Sequence, residues 1–325
     1  MKFYETHFEE YVLENQRVNL HPKLEKIYEK FPKELSKLKN IIFYGPSGVG
    51  KYTQMLKSIK KYSPSELKYE KKISVTYNKQ QYFFKISDIH CEIDMSLLGC
   101  NSKMLWHEIY LQIIDIISAK NEKSGILVCK NFNDIHSELL DNFYSYMQKN
   151  NANCIDLKYI LITEEISFIP DNILNCCQII SVARPSKSNY IKCIKKFPNK
   201  LLLENITNIK NIKNLQSQQN YNEDLMLQYK IICNKILDNL VKYEDINFLK
   251  FRDLLYDMFI YNLDISDCIW YIITKLINDN KIRKEHVSTI LIKTYCFFQY
   301  YNNNYRPIYH MENYFFNIAK IIHDL

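Results

Sequence analysis

The chain has 325 residues, 47% of them hydrophobic, and a formal net charge of +7, so it has room for two or three domains and enough apolar content to bury real cores. No run approaches the roughly 18 uninterrupted apolar residues of a membrane span, and the opening Met-Lys-Phe-Tyr-Glu-Thr-His-Phe-Glu-Glu has neither the apolar core nor the cleavage site of a signal peptide, so an intracellular protein is expected. The charge comes from dispersed lysines with no basic block, which permits contact with nucleic acid without requiring it, and the ten cysteines contain no C-x-x-C pair, which fits free thiols in a reducing compartment better than structural zinc.

Residues 1–39 carry mixed helical patterns (Leu20, Leu24, Ile27, Tyr28, Phe31) and the breaker Pro32. Residues 41–44, Ile-Ile-Phe-Tyr, form a short apolar run of the kind that makes a buried strand. Gly45-Pro46-Ser47-Gly48-Val49-Gly50-Lys51-Tyr52-Thr53 follows, and then Met55, Leu56, Ile59 and Tyr62 at helical spacing. The protein has only five glycines, and three of them, Gly45, Gly48 and Gly50, fall within this one stretch. Glycine lets a backbone take positive φ and approach a ligand closely, so strand, glycine cluster and helix in this order read as a P-loop that cradles phosphate. Backbone N–H groups and the helix dipole would face the phosphates, and Lys51 would add a full charge. The pattern G-x-x-x-x-G-K-[ST] places a small hydroxyl after the lysine to hold Mg²⁺; here Tyr52 stands there and Thr53 comes one residue late.

Beyond the loop, residues 72–77 and 81–86 are β-rich runs separated by Asn78-Lys79-Gln80, a hairpin pattern. Residues 91–94 form a further strand. Residues 104–119 form an amphipathic helix with Leu105, Ile109, Ile113 and Ile116 inward and Trp106 and Tyr110 flanking that stripe. Strands follow at 125–129, 158–162 and 178–182, with a helix at 136–148 built on Leu139, Leu140, Phe143 and Met147. Alternation of this kind predicts an α/β fold with a parallel sheet between helices. A short helix is expected over 186–197 and a polar Asn- and Gln-rich linker after it. Only helical patterns remain at 225–241, 248–262, 267–279, 284–302 and 306–323. The expected organisation is therefore 1–183 as a P-loop nucleotide-binding domain, 184–221 as a small lid and linker, and 222–325 as an all-helical domain.

Hydrolysis needs more than a P-loop: an acidic residue ending a second strand, usually with a Glu beside it, and an arginine facing the γ-phosphate. The candidate strand over 126–129 runs into Lys130-Asn131-Phe132-Asn133, so both carboxylates are missing. Asp134 lies too far past the strand, and Glu164 and Glu165 form the only other acidic pair in a similar setting. The arginines are Arg17, Arg184, Arg252, Arg283 and Arg306, which leaves none between 18 and 183. No catalytic or metal-binding residue is assigned on this ground.

With these residues in view, the chain resembles small subunits of the sliding-clamp loader, replication factor C-like members of the AAA+ P-loop family. The type in question has a loop reading Gly-Pro-Ser-Gly-x-Gly-Lys-Lys-Thr, matched here from Gly45 to Thr53 with Tyr52 in place of the second lysine. The tract Ile89-His-Cys-Glu-Ile-Asp94, the turn Gly99-Cys-Asn-Ser-Lys and the helix after it are similar to the family's strand, turn and clamp-proximal helix. Arg306-Pro-Ile-Tyr-His-Met-Glu312 resembles the start of its last collar helix. The resemblance implies ATP or ADP as ligand, Mg²⁺ with it in the ordinary case, and other clamp-loader subunits, a sliding clamp and primer-template DNA as partners. It implies a lid and an oligomerising collar at 222–325, and it places the protein at the site of replication. The acidic box falls on Lys130, Asn131 and Asn133, the sensor near Thr163 or Glu164, the arginine finger on Asn175-Cys176-Cys177, and a second sensor on Lys210 or Lys213. The eroded motifs and the Lys, Asn, Ile and Tyr bias look like versions found in large DNA viruses, whose site of replication is the nucleus or a cytoplasmic factory. On this reading Trp106 and Tyr110 either face the clamp or pack in the core, and lysines within 101–135 touch DNA phosphates. Two other readings stay open: a nucleotide kinase, whose loop reads similarly but which needs arginines around the transferred phosphoryl group, and a scaffold with a vestigial P-loop.

Overall fold

Seven runs rich in β-branched and aromatic residues pair into one sheet in the order β2-β3-β4-β5-β6-β1-β7. The strands are β1 Asn40–Tyr44, β2 Lys71–Tyr77, β3 Gln80–Ile86, β4 His90–Asp94, β5 Ser124–Lys130, β6 Asp156–Thr163 and β7 Cys177–Ser181. The five from β4 to β7 are mutually parallel, and β2 and β3 add an antiparallel hairpin at one edge. β1 lies inside the sheet, with Ile42 opposite Leu161 of β6 on one side and Ile179 of β7 on the other. In the computed structural model the described residues are 7–77, 80–99, 101–148, 155–186, 188, 189, 192, 228–242, 247–261, 263–301 and 306–323.

A parallel sheet must be covered on both faces, and the side-chain alternation of its strands sorts the core accordingly. On one face Ile42, Leu127, Cys129, Tyr159 and Leu161 pack with helices α4 Ser102–Ser118 and α5 Ser137–Gln148. On the other, Ile41, Phe43, Ile126, Val128, Ile160 and Ile162 pack with α1 Phe8–Arg17, α2 Pro22–Glu29 and α3 Lys51–Ile59. A short helix, α6 Asp171–Asn175, precedes β7. Residues 7–39 therefore supply one layer on that face, through Phe8, Val12, Leu24 and Tyr28 in one core with Met55, Leu56 and Ile59.

The chain divides into two units, Met1–Gln216 and Ser217–Leu325. The second is helical: α7 Gln228–Val241, α8 Phe248–Ile260, α9 Ile265–Asn278, α10 Val287–Tyr301 and α11 Pro307–Ile322. Helix starts follow capping chemistry. Asn247 accepts from the amides of Leu249 and Lys250, Asp264 from that of Asp267, and Pro307 occupies the first turn of α11. The core of this unit is built on Cys233, Ile236, Phe251, Leu255, Met258, Ile269, Met311 and Phe315.

The α/β class, with a mostly parallel sheet and a helical C-terminal part, matches the expectation. Three local expectations change. Trp106 and Tyr110 do not flank the buried stripe of α4; they are 0% and 4% exposed and pack on Phe143 and Tyr146 of α5. Ile116 packs half-buried against the core, and Ile117 beside it is fully buried, because the buried face extends around the helix to Trp106 and Tyr110. Tyr62 belongs to a short 3-10 turn and is half-buried, its hydroxyl donating to the carbonyl of Pro32. The lid and linker expected over 184–221, the helix over 186–197 and the residues Lys210 and Lys213 lie outside the described residues, apart from positions 184–186, 188, 189 and 192.

Candidate nucleotide-binding site

β1 ends at Tyr44, and the chain turns through the glycine loop into α3, whose first residue is Lys51. Gly45, Gly48 and Gly50 have φ of 154°, 66° and 94°, a sequence of conformations that residues with a Cβ adopt at a cost. At Gly45 the demand is also steric: a Cβ would sit 2.2 Å from the carbonyl oxygen of Val182, the residue after β7 whose amide donates 2.8 Å to the carbonyl of Tyr44. Gly50, left-handed, caps α3 with no side chain in the way of its first amides.

Val49 is fully buried among Ile41, Met55 and Ile59, which anchors the middle of the loop. The flanking Pro46, Ser47 and Gly48 are half-buried, as are Lys51, Tyr52 and Thr53. Lys51 folds over the loop and donates from Nζ to the carbonyl oxygens of Gly45 (2.6 Å) and Pro46 (2.8 Å). A second ring of contacts comes from the N-terminal helices. His21 donates to the Val49 carbonyl at 2.7 Å, and Gln54 of α3 is held by Tyr28, Asn15 and Asn19. Burial lowers the His21 pKa below its ordinary value, more than the bond to Val49 raises it.

Tyr52 donates a 2.7 Å hydrogen bond to Oε1 of Glu92 on β4. Glu92 is 2% exposed. Its Oε1 also takes Nε2 of His90 at 3.2 Å, and Nδ1 of that ring meets Ser87 Oγ at 2.6 Å. Lys130, the last residue of β5, brings Nζ to 3.3 Å from Glu92 Oε2, an ion pair off the line of a hydrogen bond, and lies 5.5 Å from the centroid of the Tyr52 ring. Burial pushes the Glu92 carboxyl up, but His90, Lys130 and Tyr52 together hold it below the ordinary carboxylate value. Burial first, and then the Glu92 charge, push the Tyr52 phenol far up, so it stays a donor.

The expected acidic positions are filled otherwise. Asn131 is left-handed (φ 50°) and donates 2.9 Å to Asp94, while Asn133 donates 2.9 Å to Asp134. Thr163, fully buried beside Tyr44 in the register of β1 and β6, gives its hydroxyl to the carbonyl of Glu165 at 2.7 Å. Glu164 and Glu165 are half-buried at the end of that strand. No group of three or more His, Cys, Asp or Glu side chains able to hold a metal ion exists among the described residues. At the two positions that ordinarily serve Mg²⁺ in a P-loop stand the ammonium of Lys130 and the bulky phenol of Tyr52, held on Glu92, a pair that does not fit the cation. Asn175, Cys176 and Cys177 lie at the other end of β1, where Cys177 pairs with Asn40. Of the lysines within 101–135, Lys130 is tied to Glu92 and Lys120 donates 2.7 Å to the Asp88 carbonyl, whereas Lys103 and Lys123 are exposed.

Glu92, His90 and His21 carry much of this geometry and were not singled out by sequence reasoning. A signal existed for two of them: His90, Glu92 and Asp94 recur every second residue in a strand otherwise apolar, which puts them on one face.

No protein-family model matches the chain, and no curated protein matches it. Among solved structures it is similar to the replication initiator DnaA bound to AMPPCP and single-stranded DNA, at 14% identity and a TM-score of 0.43 over 73% of this chain and 74% of that one. It is similar to AMPPCP-bound DnaA from Aquifex aeolicus, at 11% identity and a TM-score of 0.42 over 73% of this chain and 72% of that one. The Thermotoga maritima RuvB Holliday junction branch migration motor is similar at 13% identity and a TM-score of 0.41, over 74% of this chain and 80% of that one.

Proposed function

We propose that the chain binds ATP or ADP through Gly45, Pro46, Ser47, Gly48, Val49, Gly50, Lys51, Tyr52 and Thr53, holds it without hydrolysis, and serves as an AAA+ small subunit of a sliding-clamp loader on DNA. The observation that carries the nucleotide reading is the loop itself. Three glycines at positive φ lead from a buried strand into a helix whose first residue is a lysine with its ammonium at the loop carbonyls. That arrangement aims amide donors and positive charge at one point, which is what a phosphate chain requires. The absence of hydrolysis follows from Lys130 and Asn131 at the acidic positions and from the missing arginines between 18 and 183.

In this reading 1–183 is the nucleotide domain, 184–221 the lid and linker, and 222–325 the collar through which subunits assemble. With Trp106 and Tyr110 in the core, the apolar residues that α4 leaves for a clamp are Met104 and Leu111, 57% and 44% exposed. DNA phosphates fall to Lys103 and Lys123. The deciding experiment is equilibrium binding of ATP and ADP to the purified full chain and to Lys51→Ala, with phosphate release followed in parallel. Binding lost in the variant, with no release by either protein, is the expected result. No binding by the wild-type chain would return the loop to a vestigial one, release above the Lys51→Ala background would refute the non-hydrolysing role, and failure to co-purify with clamp-loader subunits or a clamp would refute the assembly.

A further inference from the structure

We infer that Lys130 and Tyr52 close the metal position of this loop, so that the chain takes its nucleotide free of divalent cation, with the Lys130 ammonium as the built-in counter-charge. This rests on the nucleotide reading above and concerns the same site.

The two positions from which a P-loop protein ordinarily reaches Mg²⁺ are the residue after the loop lysine and the residue that ends the second strand. Here those positions are Tyr52 and Lys130, and the fold brings their side chains together: the Lys130 ammonium lies 5.5 Å from the Tyr52 ring centroid. Both are committed to one buried carboxylate. Glu92 takes the Tyr52 hydroxyl on Oε1 at 2.7 Å and the Lys130 charge on Oε2 at 3.3 Å, and His90 fills the remaining approach to Oε1 at 3.2 Å. An ammonium has no lone pair to give a metal, and the Tyr52 hydroxyl is held on the buried Glu92 carboxylate with the Lys130 charge beside its ring. A divalent cation entering here would also face the Lys130 charge at short range in a poorly screened setting.

Chemically, the group supplies what a metal supplies to a bound polyphosphate, which is positive charge, without supplying a coordination site. The Lys130 side chain is 30% exposed while that of Glu92 is wholly buried, so the lysine is open to solvent on one side, where phosphate oxygens would meet it. Lys51 and Lys130 would then hold the phosphates from two directions, as point charges that demand no fixed geometry. The ligand class is a nucleoside di- or triphosphate in its metal-free form.

The test is ATP binding to the full-length wild-type chain by titration calorimetry in excess Mg²⁺ and in excess EDTA. Affinities within about threefold of each other are expected, since the cation contributes no contact. Affinity more than about tenfold tighter with Mg²⁺ would overturn the inference while leaving the nucleotide reading intact; binding in neither buffer would overturn both. For results between these limits, Lys130→Gln decides: the inference requires its affinity in EDTA to fall about tenfold, the loss of one charged contact, and an unchanged value would overturn it. Because the wild-type comparison needs no variant, a folding defect in Lys130→Gln does not spare the proposal.

Discussion

His21 Nε2 donates a 2.7 Å hydrogen bond to the carbonyl oxygen of Val49, tying the segment between α1 and α2 to the buried centre of the glycine loop. The ring is buried, and burial lowers its pKa below the ordinary value of 6.5. The loop is therefore held from behind by a group that works while neutral.

Stability should depend on pH through this residue. A histidine whose folded pKa is depressed binds its proton more readily in the unfolded chain, so its contribution is complete above about pH 6.5 and is lost as pH falls through the lower folded value. Urea midpoints at pH 7.5 and 5.5 should show a larger acid loss for wild type than for His21→Gln, whose amide can still donate to Val49. Carboxylates with ordinary or lowered pKa titrate below that window. Equal slopes in the two proteins would show that the His21 proton is not linked to folding.

Trp106 is fully buried against Phe143 and Tyr146, with ring centroids 5.2 and 6.1 Å away. Trp106→Ala should cost about 3–5 kcal/mol in denaturant unfolding, the loss of a large buried side chain plus the cavity left behind. Met104→Ala, two residues earlier and exposed, should stay within about 0.5 kcal/mol and act only on partner binding. A neutral Trp106→Ala would return that residue to the surface role considered from the sequence.

In the helical unit, Arg252 of α8 pairs with Glu312 of α11 through Nε and, at 3.1 Å, through Nη2, while its guanidinium lies 4.6 Å from the Phe248 ring centroid. The Glu312 side chain is 8% exposed and the arginine 30%. Arg252→Ala leaves a carboxylate without its counter-charge, so it should lower the melting temperature of this unit, and adding Glu312→Gln should recover part of the loss. Additive losses in the double variant would mean that the two residues are not coupled.

The sequence carried the loop and its order of elements openly, because each depends on neighbours within a few positions. Glycines at 45, 48 and 50 need no distant partner to take positive φ, and Met55, Leu56 and Ile59 define the buried side of α3 by spacing alone. The width of a buried face is another matter. Leu105, Ile109 and Ile113 mark a stripe on α4, but whether Trp106 and Tyr110 join it depends on α5 lying alongside, through Phe143 and Tyr146. Periodicity reports direction around a helix and not how far the neighbour reaches.

Tyr52 shows the same limit at the site. By itself the sequence determined that a small hydroxyl was missing after Lys51, that no acid ended the strand before Asn131, and that a phosphate-shaped loop stood without its usual company. Only the tertiary structure decided what replaced them, because Tyr52 of α3 meets Glu92 of β4 across 40 residues of chain and Lys130 arrives from a third element, β5. A buried carboxylate takes its charge state and its partners from whatever the fold packs around it, and that is a property of three-dimensional proximity, which spacing along the chain does not contain.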